Sequence, residues 1–364
     1  MFRQLKEYTV NLISGANMAL AGIMLLTGYA DIFHPEAYPL LACLGMTFPI
    51  FLLANTAFLL FWLTIKWKRM WIPVAGFLLA YPAIRTYMPL NTYGNTEEAD
   101  LKVISYNVCT YGGNYKYDKA FEMILDYFAE QKADIVCLQE DVDTWRRYVE
   151  QRYKEIYPYN DTTTFVKTAT MCNGVGIHTR FPIIRKELIR YGAIGHGSVA
   201  YYLKSDSDTL LVINNHLEDS HLNSNDRKRY QRMIDGGMER DTVRAESKML
   251  FGKLAAAQAK RAKQAEAIHE YIEQHRQYPI IICGDFNDTP ISYSRRTIAK
   301  GLADCFVEAG RGLGLSFCQK GFYFRIDHMM CSANYEPVQC EIDNKFDASD
   351  HYPLICWLKK RQNP

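Results

Sequence analysis

Net charge is scarce in this sequence. Its 42 lysines and arginines nearly cancel its 40 aspartates and glutamates, so no overall basic field marks a nucleic-acid binder. There is no internal repeat and no low-complexity tract, which excludes solenoids and long disordered tails. Ten cysteines are present, nine of them after residue 100, yet none forms a Cys-x-x-Cys pair. Zinc-finger and dithiol redox motifs are thereby excluded. No Gly-x-Ser-x-Gly nucleophile elbow occurs either. Charge is thinnest in residues 1–90, and it is missing altogether from Pro39 to Ile65.

That stretch and two neighbours organise the first quarter of the chain. Val10–Ala30 and Pro39–Ile65 each exceed the about 20 residues a helix needs to cross a hydrocarbon layer. Trp71–Leu90 is weaker, because Arg85 interrupts it and Pro73, Pro82 and Pro89 punctuate it. Only Trp71–Ile84 is charge-free, and so short a piece can lie in the interface instead, with Arg85 reaching a headgroup. A signal peptide is the alternative for the first segment, but no small-residue cleavage site follows and a second long segment comes at once. The expectation is an anchor over 1–90 with three hydrophobic helices, a linker over 91–100 and a catalytic domain over 101–360.

Flanking cations orient the segments. Arg3 and Lys6 precede the first, and Lys66, Lys68 and Arg69 separate the second from the third. The loop Asp31–Tyr38 has neither Lys nor Arg. Three spans therefore make a multi-pass integral membrane protein with an extracytoplasmic catalytic domain; two spans would leave it cytoplasmic. Cysteine usage pulls the other way. Cys137 and Cys283 lie in apolar runs as buried thiols would, and the pattern suits a reducing compartment better than a disulfide scaffold.

After Asp100, buried strands repeatedly run out into a polar residue. Leu101–Tyr106 ends at Asn107, Asp134–Gln139 at Glu140, Thr209–Asn214 near His216, and Pro279–Cys283 at Gly284-Asp285-Phe286-Asn287. Further strands are expected at Gly174–Thr179, Val199–Lys204, Phe322–Ser332 and Tyr352–Leu358, with helices at Tyr117–Gln131 and Arg240–His275. Strand ends are rigid mounts for a site. Taken singly, Asn107 reads as a turn former, Asp285-x-Asn287 as an Asx turn and Asp350-His351 as a surface turn. Glu140 and Asp285 say more, because a carboxylate ending an apolar strand is costly without a cation or donor. Hard oxygen ligands of this kind suit Mg²⁺.

Six motifs in order, Ser105-Tyr-Asn107-Val, Cys137-Leu-Gln-Glu140, Asn215-His216-Leu217, Gly284-Asp285-Phe-Asn287, Ile326-Asp327-His328 and Ser349-Asp350-His351, resemble the endonuclease/exonuclease/phosphatase superfamily over about residues 100–360. The resemblance implies an α+β fold, the four-layer αββα sandwich of DNase I, and a metal-dependent hydrolase of phosphate esters. It implies Glu140 as principal metal ligand, supported by Asn107 and Asp350, with Mg²⁺ as cofactor and Mn²⁺ as a substitute. Asp285 would orient or deprotonate the attacking water, and Asn287 would hold a phosphate oxygen. His351, backed by Asp327, would stabilise the phosphoryl charge, and His216 would assist the leaving oxygen.

Two departures narrow this. Some DNA-repair relatives carry an acidic residue two positions after the first Asn, where this chain has Cys109. The stretch between His216 and Asp285 is long and basic, with Arg227, Lys228, Arg229, Arg232, Arg240, Arg244, Lys248, Lys253, Lys260, Arg261 and Lys263. It reads as a solvated helix face or as an arm holding a polyanion or anionic headgroups. Substrates stay open between nucleic acid, as for an endonuclease-like phosphodiesterase, and phospholipid, sphingomyelin or inositol phosphates. A non-catalytic membrane receptor on the same fold is the reading from another class. The bilayer is the expected partner, and no protein partner is implied.

Overall fold

The computed structural model describes residues 2–112, 116–141, 146–167, 172–193, 195–205, 208–220, 222, 224–237, 239–319 and 322–361. Five helices come first: α1 (Phe2–Gly28), α2 (Pro39–Cys43), α3 (Phe48–Ile65), α4 (Trp71–Leu79) and α5 (Tyr81–Tyr87). Two stretches, Arg3–Gly28 and Pro39–Ile65, are long and apolar enough to cross a membrane. A short 3-10 turn, Leu44–Thr47, interrupts the second ahead of Pro49. The third segment is two short helices meeting at Ala80.

A small polar network is buried in this bundle among apolar residues such as Met24, Phe48 and Trp62, while large leucines face outward. Asn17 and Asn55 are fully buried, whereas Leu12, Leu53, Leu63 and Leu78 are exposed. The Asn17 Nδ2 donates to Asn55 Oδ1 at 3.3 Å, and Trp62 Nε1 donates to Asn17 Oδ1 at 3.0 Å. Asn55 Nδ2 also donates to the Pro73 carbonyl at 3.2 Å, so one polar network ties all three segments.

Two six-stranded sheets follow. The first holds β1 (Leu101–Asn107), β2 (Ile135–Gln139), β3 (Tyr159–Lys167), β4 (Cys172–Thr179), β13 (Tyr335–Ile342) and β14 (Leu354–Lys360), in the order β13-β14-β1-β2-β4-β3. The second holds β5 (Ile183–Ile189), β6 (Gly197–Ser205), β7 (Asp208–His216), β8 (Ile280–Asp285), β9 (Ala303–Asp304) and β12 (Asp327–Cys331), in the order β5-β6-β7-β8-β12-β9. A hairpin, β10 (Phe317–Gln319) and β11 (Phe322–Phe324), stands apart.

Period-two alternation builds the layers. In β1, Val103 faces the other sheet, while Ile104 and Tyr106 face α6 (Tyr117–Gln131) and α7 (Arg146–Lys154). Between the sheets pack Ile135, Cys137, Val175, Val212, Ile281 and Cys283. The outer face of the second sheet, with Leu211, Ile213 and Ile282, meets Ala265, Ile268 and Ile272 of α9 (Arg240–Gln274). Three further helices, α8 (Ser224–Ile234), α10 (Tyr293–Ile298) and α11 (Cys305–Ala309), complete the chain. The expected αββα sandwich is therefore observed.

One expected strand is not continuous. Phe322–Ser332 divides into β11 and β12, in different sheets, with Asp327 opening β12. The break is at Arg325, which turns inward to donate to the Leu313 carbonyl at 2.8 Å and the Thr86 carbonyl at 2.5 Å. The residues between Asn91 and Asp100 lie on the domain: Asn91 Nδ2 donates to the Val307 and Gly310 carbonyls at 3.0 and 2.9 Å.

Candidate active site

Each sheet has one parallel pair at its centre, β1/β2 and β7/β8. Parallel neighbours finish at the same edge, so Asn107 and Gln139 end in register, as do His216 and Asp285. An antiparallel neighbour begins where its partner ends. That places Asp327, the first residue of β12, opposite Asp285, and His351, just ahead of β14, at the same edge. Topology alone thus gathers residues spread from 107 to 351. Gly284 is required here: at φ 138° its added Cβ would sit 2.0 Å from the Asn215 carbonyl oxygen.

The backbone bends sharply at this edge. Among the described non-glycine residues, positive φ occurs at six positions, and five are here: Cys109, Thr110, Tyr111, Glu140 and Asn287. Left-handed geometry disfavoured by sterics concentrates where a side chain must be aimed. Glu140 and Asn287, both at φ 52°, are two of the expected site residues.

The side chains converge. Asn107 Nδ2 donates to Glu140 Oε1 at 3.2 Å and to Asp285 Oδ2 at 3.1 Å. Its Oδ1 accepts from the Cys109 amide at 3.0 Å, and its own carbonyl accepts from Ser349 Oγ at 2.8 Å. Asp285 Oδ1 accepts from the Asn287 amide at 2.7 Å. His351 Nε2 lies 3.6 Å from Asp285 Oδ2, and its Nδ1 meets Asp327 Oδ2 at 2.9 Å. His216 Nε2 is 3.9 Å from Glu140 Oε1 and 3.8 Å from Asp285 Oδ2. Asn287 Nδ2 donates to the Leu217 carbonyl at 2.9 Å, and Asp350 Oδ2 accepts from Gln319 Nε2 at 2.6 Å. All eight expected site residues are at this one edge.

Charge is divided unequally among them. Burial pulls His351 down, but the Asp327 and Asp285 carboxylates outweigh it and hold the ring up at about 10. Burial drives His216 well below its ordinary value, helped by His196 and His351, so it is neutral. Asp285 is raised, first by burial and then by Asp327, against the pull of His351. Burial also raises Glu140; Asn107 and His351 oppose that, and the Asp350 charge adds to it. Glu140 and Asp350 thus repel each other at a site rich in hard oxygens, a donor set that fits a divalent cation. Asp285, Asp327 and His351 form a second group that could hold an ion, with ligand atoms within 4.8 Å of one another.

Several supporting residues gave no signal in the sequence. Asn173 Oδ1 contacts His216 Nδ1 at 3.0 Å and fixes the ring. It belongs to β4, two residues before the hydrophobic run becomes visible. Ser316 Oγ accepts from the Asp327 amide at 3.1 Å. Beneath the site, Asn214 bridges the sheets: its Nδ2 donates to the Leu138 and Gly176 carbonyls, and its Oδ1 accepts from Gln139 Nε2 at 2.7 Å. Arg261 was expected among the solvated cations or in a basic arm. It is buried, with Nε 3.1 Å from Asp288 Oδ2, because α9 must be pinned to the loop that carries Asn287.

Two six-stranded mixed sheets, helices outside and a polar edge of carboxylate, Asn and His define the DNase I-like sandwich class. The chain belongs to the Endonuclease/Exonuclease/phosphatase family, which matches residues 104–351. Members of that superfamily are phosphoester hydrolases and generally depend on a divalent metal. A domain of unknown function (DUF8431) matches residues 10–87. Among solved structures, D. rerio TDP2 complexed with a single-strand DNA product is 15% identical, covering 71% of this chain and 98% of its own, at a TM-score of 0.51. The Bacteroides thetaiotaomicron mannosyl-6-phosphatase is 16% identical, covering 71% and 99%, at 0.50. An endonuclease/exonuclease/phosphatase from Beutenbergia cavernae is 14% identical, covering 73% of each chain, at 0.52. At such identities the likeness is one of fold. No curated protein matches the chain.

Proposed function

We propose that the chain is a membrane-tethered, Mg²⁺-dependent hydrolase that cleaves phosphate esters by attack of water on phosphorus. The observation that carries the reading is the Asn107 amide, within hydrogen-bond reach of both Glu140 and Asp285, with the His351–Asp327 pair beside it. Glu140, Asn107 and Asp350 would hold the ion, Mg²⁺ or its substitute Mn²⁺, which when bound neutralises phosphoryl charge as a Lewis acid. The other carboxylate group is assigned otherwise, because the His351 imidazolium already lies between Asp285 and Asp327 as their cation. From there His351 donates to the equatorial phosphoryl oxygens, where charge gathers in the transition state. Asp285, its carboxyl raised to about 7 and held by Asn107 and the Asn287 backbone amide, orients the water and, as the carboxylate, accepts its proton. Asn287 donates to a phosphate oxygen, and neutral His216 serves the leaving oxygen.

The bundle supports the tether. Buried asparagines and outward leucines suit a surrounding of lipid. The cations Arg3, Lys6, Lys66, Lys68 and Arg69 precede or join the spans at the pole away from the domain, where Arg69 Nη2 donates to Asn11 Oδ1 at 2.8 Å. Three spans with that pole cytoplasmic put the catalytic domain on the extracytoplasmic face.

The test is metal-dependent turnover of a bis-aryl phosphate diester by the wild type and by Glu140→Gln, which keeps shape and removes charge. Loss of at least tenfold is expected on order-of-magnitude grounds, with an unchanged unfolding midpoint. Equal turnover at limiting Mg²⁺ would remove Glu140 from the metal site. DNA, RNA, sphingomyelin, lysophospholipid and inositol phosphates, assayed side by side, identify the substrate class.

A further inference from the structure

Helix α9 has 35 residues, about 52 Å at 1.5 Å per residue. Only its second half packs on the sheet, through Ala265, Ile268 and Ile272. The first half carries Arg240, Arg244 and Lys248 at four-residue spacing, on one face of the helix and all exposed. Other cations nearby are paired: Lys253 with Asp226, Lys260 with Glu218, Lys263 with Glu36 and Arg261 with Asp288. For Arg240, Arg244 and Lys248 the structure shows no ion pair or hydrogen bond among the described residues. Glu239 and Asp241 flank Arg240 in the first turn without an ion pair to it among the described residues, and Glu246 faces Arg229 of α8 at 3.3 Å.

The direction of this half follows from what α9 touches. Glu266 meets His34 at 3.1 Å, Lys263 meets Glu36 at 2.7 Å, and Gln258 Oε1 accepts from Cys43 Sγ at 3.2 Å. Toward the helix N-terminus, the partners pass from the loop Asp31–Tyr38 into the apolar stretch Pro39–Ile65. The half that lies off the sheet, packed only against α8, continues in that direction, which on the tethered reading is the side a bilayer would occupy.

We propose that the Arg240–Arg244–Lys248 face of α9 rests on the anionic headgroups of the bilayer that holds the N-terminal helices. This rests on the membrane-tethered reading given above. Three unpaired cations on one face match a negatively charged surface, and juxtamembrane cations gain most there. The contact would also bear on the site. Helix α8, tied to α9 by the Arg229 and Asp226 pairs, places Arg227 over the Phe317 ring at 6.0 Å, and that ring lies 5.0 Å from His351.

The full chain in lipid nanodiscs is compared in phosphatidylcholine alone and with about one-third phosphatidylglycerol. Amide hydrogen exchange of residues 240–250 is expected to slow roughly tenfold in the anionic discs, with residues 265–274 unchanged as the control. The slowing should disappear in high salt, because exposed charges are screened. It should also disappear in the R240Q/R244Q/K248Q variant. Equal exchange in the two lipids overturns the proposal. So does slowing by added single-stranded DNA without slowing by phosphatidylglycerol, which assigns the face to nucleic acid. Failure of the tether reads out separately: a chain released from membranes by alkaline wash has no spanning helices, whatever its exchange.

Discussion

His351 sits between two carboxylates, Asp327 at 2.9 Å and Asp285 at 3.6 Å, and so keeps its proton to about pH 10. Asp327→Asn removes the stronger support and leaves burial opposed by Asp285 and, more weakly, Asp350. The ring's pKa then falls, and the imidazolium is lost as pH rises. The loss in kcat/KM should accordingly be small at low pH and large at high pH. His351→Ala should cost on the order of 10²–10³ at neutral pH, as for other fixed donors to a developing oxyanion. The double mutant should fall well short of the summed effects, since both changes disable one unit. Profiles of kcat/KM from acid to alkaline pH decide the matter, and additive, pH-independent losses would separate the two residues. Asn107, Glu140, His216 and the Asp285–Asn287 pair were visible in the sequence because an apolar run stops there, whereas Asp327 and the Asp350–His351 pair were legible through the order of the motifs. Ser316 and Gln319 were not, because they sit in a short, half-buried stretch with no periodicity, and Asn173 was not, because it precedes the first apolar residue of β4.

Elements were legible in proportion to their burial. Strands β1, β2 and β8 are buried along nearly their whole length and read as continuous apolar runs. Strands β3 and β5 are edge strands with exposed and half-exposed residues, so neither a run nor a clean alternation announces them. The division of Phe322–Ser332 depends on Arg325 reaching Thr86, a contact far away in the sequence. Helix α9 shows the same limit: its cations look alike in sequence, yet Arg261 is 2% exposed and holds the buried Asp288. Arg261→Ala strands that carboxylate, with Ser294 Oγ and the Thr289 amide as its remaining donors among the described residues. We expect a loss of about 3 kcal/mol, read as a lowered unfolding midpoint. Lys263→Gln, which breaks an exposed pair with Glu36 on the same helix, should cost less than about 1 kcal/mol. Equal shifts would mean that Arg261 has no special part in holding the loop.

At the scale of the molecule, the catalytic domain is held to the helices at two places. The loop between the first and second segments is one: Asp31 meets Arg296 at 3.2 Å, beside the His34 and Glu36 pairs. The end of the third is the other: Arg85 meets Glu308 at 2.6 Å, and Pro89 accepts from the Gly312 amide at 2.8 Å. Between them Gly45 lies so close to Ile291 that an added Cβ would fall 2.2 Å from the Ile291 carbonyl oxygen. The loop Asp31–Tyr38 and the domain are therefore at the same pole, as the proposed three-span topology requires. A reporter active only outside the cytoplasm, fused at the C-terminus, should be active; activity of a cytoplasmic reporter alone would reverse the orientation. Ile291 is four residues from Asn287, so this contact joins the helices directly to the loop that carries one side of the candidate site. A head on a flexible stalk sweeps a volume and meets substrates at any height. On the proposed tether, a head clamped in this way would work at one height, and reach would become a filter in its own right: phosphates standing too far from the plane of attachment would go uncut, however well their chemistry fits.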